Sequence, residues 1–391
     1  MRLTAFRPPW GTAALAAALL LALPGAASSQ ADPFGALYSP QPGTAPAKDA
    51  SSGRTGSTSV SGAVGRTYAG ADASGRVSLA QLDMMPDHAP PFSVALQGHA
   101  TRYLANRPKI IISGYTLAFV QGATASAFGG GTGLDTSQRR TQIATRLVGL
   151  TDTMAQDMAD AAYGDLVAQL RAAGFEVLDP AGFQASEQMS GVARYSAPVG
   201  GQGIIDSRAT KAWVAYGPRA LPLIKGHAFE TGMGAVAASG ALMRFGRASR
   251  DLDAVIISPR LLLDYVDMES TGQRTYSGSA SVDAELRFGI NPISKVDFVW
   301  GNNGGGAMPG WFTTKGVFTP QPFGILAQTA DRSDSIATHN ALVSIGFGSV
   351  YRQSLVYDAE VSPKRYAALS RAAYQGFNAA LVAEIRKARG Q

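Results

Sequence analysis

The sequence predicts an α+β protein: a mixed, largely antiparallel sheet with helices packed on one face, preceded by a disordered leader. Three observations carry this expectation. Residues 153–174 and 362–389 read as long helices with marked ends. Several runs of β-branched and aromatic residues read as strands, the clearest at Lys109–Val120 and Val282–Ile290. Residues 31–75 are dominated by Ser, Gly, Ala, Thr and Pro, too poor in large apolar side chains to offset the entropy of ordering.

Taken in chain order, Arg2 and Arg7 precede an apolar run from Ala13 to Leu23, followed by Pro24, Gly25 and the small residues Ala26 to Ser29. That order describes a secretory signal peptide over residues 1–30. The run falls short of the roughly 20 residues a membrane span needs. The mature chain is therefore expected to be periplasmic or extracellular and to carry no transmembrane helix. Residues 31–75 form the leader and residues 76–108, with Leu79, Leu82, Pro90 and Pro91, an extended arm. Residues 109–391 are read as one α/β domain with long glycine-rich loops.

Within that domain, Lys109–Val120 is apolar on both faces and reads as a buried strand. The glycine-rich Gly129–Gly133 separates it from a second strand-like stretch, Thr141–Leu150, so the two are expected to pair as a long hairpin. No lysine stands before Ser or Thr there, so the glycines read as a hairpin tip and not as a phosphate loop. Thr153 to Gln156 has capping-box spacing, Met154, Met158, Ala162, Leu166 and Leu170 recur every four residues, and Gly174 sits at the C-terminal cap. A short strand, Phe175–Asp179, follows, giving a strand–helix–strand unit. Residues 190–250 carry little pattern. Val282–Ile290 alternates strictly, which calls for an antiparallel partner, and the expected one is Val296–Trp300 across a turn at Asn291–Lys295. The chain closes on a helix with Ser362 as N-cap, Pro363 at its first position, and Tyr366, Leu369, Ala373, Phe377 and Leu381 along one stripe.

Composition limits the chemistry. With no cysteine among 391 residues, cysteine-ligated zinc, iron–sulfur clusters, thiol catalysis and a lipid anchor on cysteine are excluded. Loss of Arg2 and Arg7 with the signal takes the formal net charge from +6 to +4, a mild excess. Arg244, Arg247 and Arg250, like Arg386, Lys387 and Arg389, read as solvated faces, and nucleic acid is not an expected partner. His88, His99, His227 and His339 are scattered singly, so no metal or cofactor is assigned. Asp264, Asp267 and Glu269, after an apolar strand, are the first carboxylates to consider for a hydrolase. Trp300, Asn302, Asn303, Trp311 and Phe312 flank the glycine cluster 301–310 and form a candidate binding loop for polysaccharide or peptide.

The helix–strand step Ala168–Pro180 resembles the corresponding step of the curli-secretion-channel and penicillin-binding-protein-activator group of bacterial envelope proteins. The stretch Ala284–Trp300 is similar to that group's later antiparallel pair, and the C-terminal helix fits it as well. The resemblance covers residues 109–190 and 240–390 as a pattern. Most members of the group are lipoproteins, and this chain has no cysteine to acylate. The resemblance implies a non-catalytic envelope protein, an accessory or scaffold in an assembly or secretion system. Its expected partners are envelope proteins, cell-wall polymers or further copies of itself. A secreted polysaccharide- or peptide-binding module and a hydrolase with an uncommon carboxylate site are the alternatives.

Overall fold

The computed structural model describes residues 57–62, 78–98, 108–129, 138–206, 209–230, 233–272, 280–301, 310–331 and 350–390. All of them belong to one unit, Pro40–Gln391. In chain order the elements are β1 (Ser57–Gly62), α1 (Leu79–Asp83), β2 (Leu96–Gly98), β3 (Lys109–Ile112), β4 (Thr116–Gly129) and β5 (Gln138–Val148). Then come α2 (Asp152–Ala172), β6 (Glu176–Val177), α3 (Pro180–Ala185), a 3-10 turn (Glu187–Met189), β7 (Arg194–Tyr195), β8 (Val199–Asp206), β9 (Ala209–Tyr216) and β10 (Leu223–Ile224). The rest are α4 (Met233–Asp251), β11 (Val255–Gly272), β12 (Ala280–Ile290), β13 (Lys295–Val299), β14 (Gly310–Thr313), β15 (Val317–Thr319), β16 (Gly324–Asp331), β17 (Val350–Val361) and α5 (Pro363–Ala388).

The strands form one large mixed, mostly antiparallel sheet, with β7 and β10 apart as a two-stranded ribbon. The expected hairpin is present: β4 and β5 are antiparallel, with Gly129 opposite Arg139. The apolar run that opens it is two strands, because Ser113–Tyr115 breaks the ladder while Ser113 N–H stays bonded to Ile257 O at 3.0 Å. Both pieces lie parallel to β11. The strand–helix–strand unit also forms, with β6 parallel to β3.

At β12 the structure corrects the sequence reading. β12 and β13 do not pair with each other; both run antiparallel to β11, one beyond the other, Leu263 facing Ile290 and Arg260 facing Lys295. Asn291–Ser294 is a local turn that steps the chain along β11 without reversing it. Ile293 N–H binds the Asn291 carboxamide at 3.1 Å, and Ser294 Oγ accepts from Leu262 N–H at 3.0 Å. Strict alternation requires an antiparallel neighbour but does not name it, and the 18-residue β11 is long enough to serve both strands.

At mid-height the sheet forks. One edge of β4 pairs with β11 over Thr116–Phe119 and with β5 over Gly122–Gly129, while β9 runs along its other edge. One branch is then β8-β9-β4-β5-β17-β16 and the other is β11-β12-β1, where Ser57–Gly62 from within the leader lies parallel to β12. The remainder of residues 1–77, with the signal segment, lies outside the described residues. Where the branches part, β11 bulges between Asp264 and Val266. A bulge frees backbone donors, and the Asp264 carboxylate takes them, from Tyr265 N–H at 2.9 Å and Val266 N–H at 3.3 Å.

The helices the sequence marks, α2 and α5, pack together on one face over the main core. Thr151 caps α2, accepting from Met154 N–H at 3.3 Å, two residues before the Thr153 position that the spacing suggested. Gly174 ends the helix with φ of +80°, a left-handed conformation that costs glycine nothing. Ser362 caps α5, and Tyr366, Leu369, Phe377, Leu381 and Ile385 are fully buried. Fully burying such side chains contributes roughly 1.5–3 kcal/mol each, enough to dock the helix along its whole length. The arm crosses α5 so closely that a Cβ on Gly376 would meet Phe92 O at 2.1 Å. The 19-residue α4, which the sequence reading did not mark, lies on the opposite face with α3 over a second core of Ile111, Phe183, Ile224, Phe245, Ile256 and Val299.

Candidate functional site

Of the carboxylates singled out from the sequence, Asp264 holds the fold together. Asp264 is fully buried at the fork, ion-paired with the equally buried Lys211 of β9 and accepting from Asn291 Nδ2 at 2.9 Å. Lys211 Nζ also donates to Val266 O at 3.1 Å, so the pair is enclosed by protein partners on every side. One layer away, the hydroxyls of Thr145 on β5 and Tyr265 on β11 join the branches at 2.9 Å. Asp267 is half-buried and 3.4 Å from Arg287. The side chain of Glu269 lies outside the described residues. A carboxylate that accepts two backbone N–H groups, an amide and an ammonium has no lone pair left to act as base or nucleophile.

The candidate binding loop separates in the same way. Trp311 is fully buried, edge-on to Phe298 at 5.7 Å, and is a core residue. Trp300 is partly buried and packs against the main core. Asn302 and Asn303 lie outside the described residues. Phe312 differs: neighbours on a strand face opposite sides, so the burial of Trp311 turns Phe312 outward, where it is 51% exposed. Lys295, its cross-strand partner, holds its ammonium 5.9 Å from the Phe312 ring centroid.

Phe312 and Lys295 open onto the face covered by α4. Gly301 N–H reaches Ser249 Oγ of α4 at 3.3 Å, and a Cβ on Gly246 would meet Gly301 O at 2.7 Å, so the chain at the end of β13 runs directly beside this helix. Along α4, Met243 is 56% exposed, and Arg244, Arg247 and Arg250 are exposed, with the Arg244 guanidinium lying over Gly191.

Behind this surface lies a buried polar cluster that single-residue motifs could not reveal. Arg260 of β11 is ion-paired with Asp297 of β13 and donates to Gly226 O at 3.0 Å. Gly226 and Phe229 have φ of +90° and +62°, and an aromatic residue in that region marks a loop forced by its surroundings. Three bonds hold it there: the Glu230 carboxylate accepts from Gly226 N–H at 2.8 Å and Ala228 N–H at 2.7 Å, and the Trp213 indole donates to Ala228 O at 3.1 Å. His227 is buried edge-on to Phe245 at 5.9 Å. Burial, with Arg260 and Lys295 nearby, keeps its pKa well below the usual imidazole value. Burial and then Arg260 bring the Lys295 ammonium down to about 8, while burial brings Arg260 to about 10 against the pull of Glu230.

Cavities are small. A groove between α2 and α5, walled by Met154, Met158 and Tyr374, holds about 250 Å³, and another beside Tyr195 and Pro218 about 200 Å³. Small-molecule sites usually need roughly 300–1,000 Å³. Among the described residues no three His, Asp or Glu side chains come together as a metal site, and no helix is long and apolar enough to cross a membrane. Comparison with family models, curated proteins and solved structures finds no match to this chain.

Proposed function

We propose that this protein is a non-enzymatic exported envelope protein, an accessory or scaffold in an envelope assembly or secretion system. The observation that carries the reading is the common direction of four hairpins. The strand ends Gly129 and Gln138, Asp206 and Ala209, Gly272 and Ala280, and Asp331 and Val350 all lie at one end of the forked sheet, because β4 parallels β11 and β5 parallels β17. Strand pairs that all end on one side suit contact with another protein there, and the first candidate catalytic carboxylate, Asp264, is already paired with Lys211. The resemblance at Ala168–Pro180 points the same way, and the N-terminal Arg2–Ser29 segment supports export to the periplasm or beyond. Multi-angle light scattering on the chain from residue 31, with fractionation of the native protein, tests this. A ring, a tight dimer or co-migration with an envelope complex is expected. A monomer found in no complex refutes it. The exposed Phe312 beside Lys295 favours polysaccharide or peptide binding as a second reading, and a monomer that binds glycan would establish that one.

A further inference from the structure

We infer that the Lys225–Glu230 loop is a proton-operated latch, closed over β9 and β11 while His227 is neutral and released when its imidazole takes up a proton. The inference goes beyond the proposed function and does not depend on it. His227 is 2% exposed, and among the described residues its Nε2 has no hydrogen-bond partner. A neutral ring tolerates that position, whereas an imidazolium there would need an acceptor. Its surroundings are already committed elsewhere. Helix α4 meets the ring with Phe245, β11 with Arg260 and β13 with Lys295. Asp297 of β13 is shared between those two cations. On the loop itself, the Glu230 carboxylate is engaged by Gly226 N–H, Ala228 N–H and, at 3.0 Å, the Tyr195 hydroxyl of β7. A proton on His227 therefore adds a buried cation beside Arg260 and Lys295, where the carboxylates already have partners.

The loop is the part of this site that can yield. Arg260, Lys295 and Asp297 stand on β11 and β13, which have ladder partners along both edges. The loop is held instead by separate anchors: Lys225 N–H to Ala193 O at 3.0 Å, the bonds to Glu230, the Trp213 indole on Ala228 O and Arg260 on Gly226 O. Of its residues, Phe229 alone is a large buried apolar side chain, and its φ of +62° is a strained conformation that release would relax. Opening such a segment costs less than unfolding the sheet beneath it. Charge on His227 is thus relieved by moving residues 225–230, and the movement bares Trp213 and Arg260, which the closed loop covers.

Hydrogen–deuterium exchange read by mass spectrometry on the chain from residue 31, in a pH series corrected for intrinsic exchange rates, tests the inference. The folded imidazole titrates well below the 6.5 of an open one, so the open loop binds the extra proton and opening grows as pH falls. For one proton the increase is roughly 30-fold between pH 7.5 and pH 5. Amides of residues 225–230 are expected to show it, and those of β4, β11 and α5 are not. H227Q, uncharged at every pH, should flatten the dependence, and H227F should do the same if the glutamine variant does not fold. E230A should raise exchange of the loop at pH 7.5 and leave the pH dependence in place, because it removes an anchor and keeps the proton acceptor. A rise that persists in H227Q or H227F, a rise shared by β4 and α5, or no rise at residues 225–230 would each overturn the proposal.

Discussion

Replacing Lys211 with methionine removes the ammonium and keeps most of the side-chain volume. Asp264 then stays in place with three of its four donors: Tyr265 N–H, Val266 N–H and Asn291 Nδ2. Lys211 and Asp264 are 1% and 0% exposed, so no water can replace the lost partner. Breaking one side of a buried ion pair costs about 3–5 kcal/mol, and the three surviving hydrogen bonds place this case near 3. That is a large part of the total stability of about 5–15 kcal/mol typical of folded proteins. Asp264→Ala should cost more, because it also orphans the two N–H groups freed by the bulge, at about 1–3 kcal/mol each. Changing both residues should cost much less than the sum of the single changes, since no charge is then left alone. Urea unfolding reads all of this as midpoint shifts at constant slope. The reasoning fails if Lys211→Met costs under about 1 kcal/mol, or if the double variant is simply additive.

Other consequences follow from the same structure. Gly376→Ala drives a methyl into the Phe92 carbonyl, so the arm at residues 78–98 should become open to limited proteolysis while far-UV circular dichroism changes little. Trp311→Ala should cost about 3–5 kcal/mol as a core truncation, whereas Phe312→Ser should change stability by less than about 1 kcal/mol; the reverse order in urea unfolding would refute the assignment of Trp311 to the core. His227 binds no proton in the folded state at pH values where the unfolded chain does, so stability should fall as pH drops below 6.5, and His227→Gln should flatten that limb. Lys295 gives the corresponding effect at high pH. Its folded value of about 8 lies below the unfolded 10.5, so between these values the unfolded chain holds more protons and stability from this group should rise with pH. Lys295→Met should abolish that rise in a pH series of urea midpoints.

Features whose signal is contained within a few residues were legible in the sequence. Ser362 and Pro363 start a helix wherever they stand before a periodic stripe, Gly174 ends one, and the alternation from Val282 to Ile290 makes a strand. The helix α4 was not legible. Gly234, Ala235, Ala237, Ala238, Gly240 and Ala241 have too little contrast between faces to produce a period, and the helix is defined by Phe245 reaching Phe183 across the second core at 5.4 Å. Of the aromatics after the 301–310 glycines, Phe312 is exposed and Trp311 buried. Which aromatic could not be read, because the choice between Trp311 and Phe312 depends on which face of β14 meets Phe298.

By itself the sequence determined the class of the fold, the two capped helices, the β4–β5 hairpin and the cysteine-free chemistry, because each rests on local dihedral preference, periodicity or composition. Partnership was decided only in three dimensions. β12 and β13 could have paired with each other, and Asp264 could have faced solvent as a catalytic group. The length of β11 and the fork at its bulge settled both, aligning the two strands along one neighbour and enclosing the carboxylate with Lys211. Such outcomes depend on contacts between residues far apart in the chain, where local propensity carries no information and the burial of charge and apolar surface selects the arrangement.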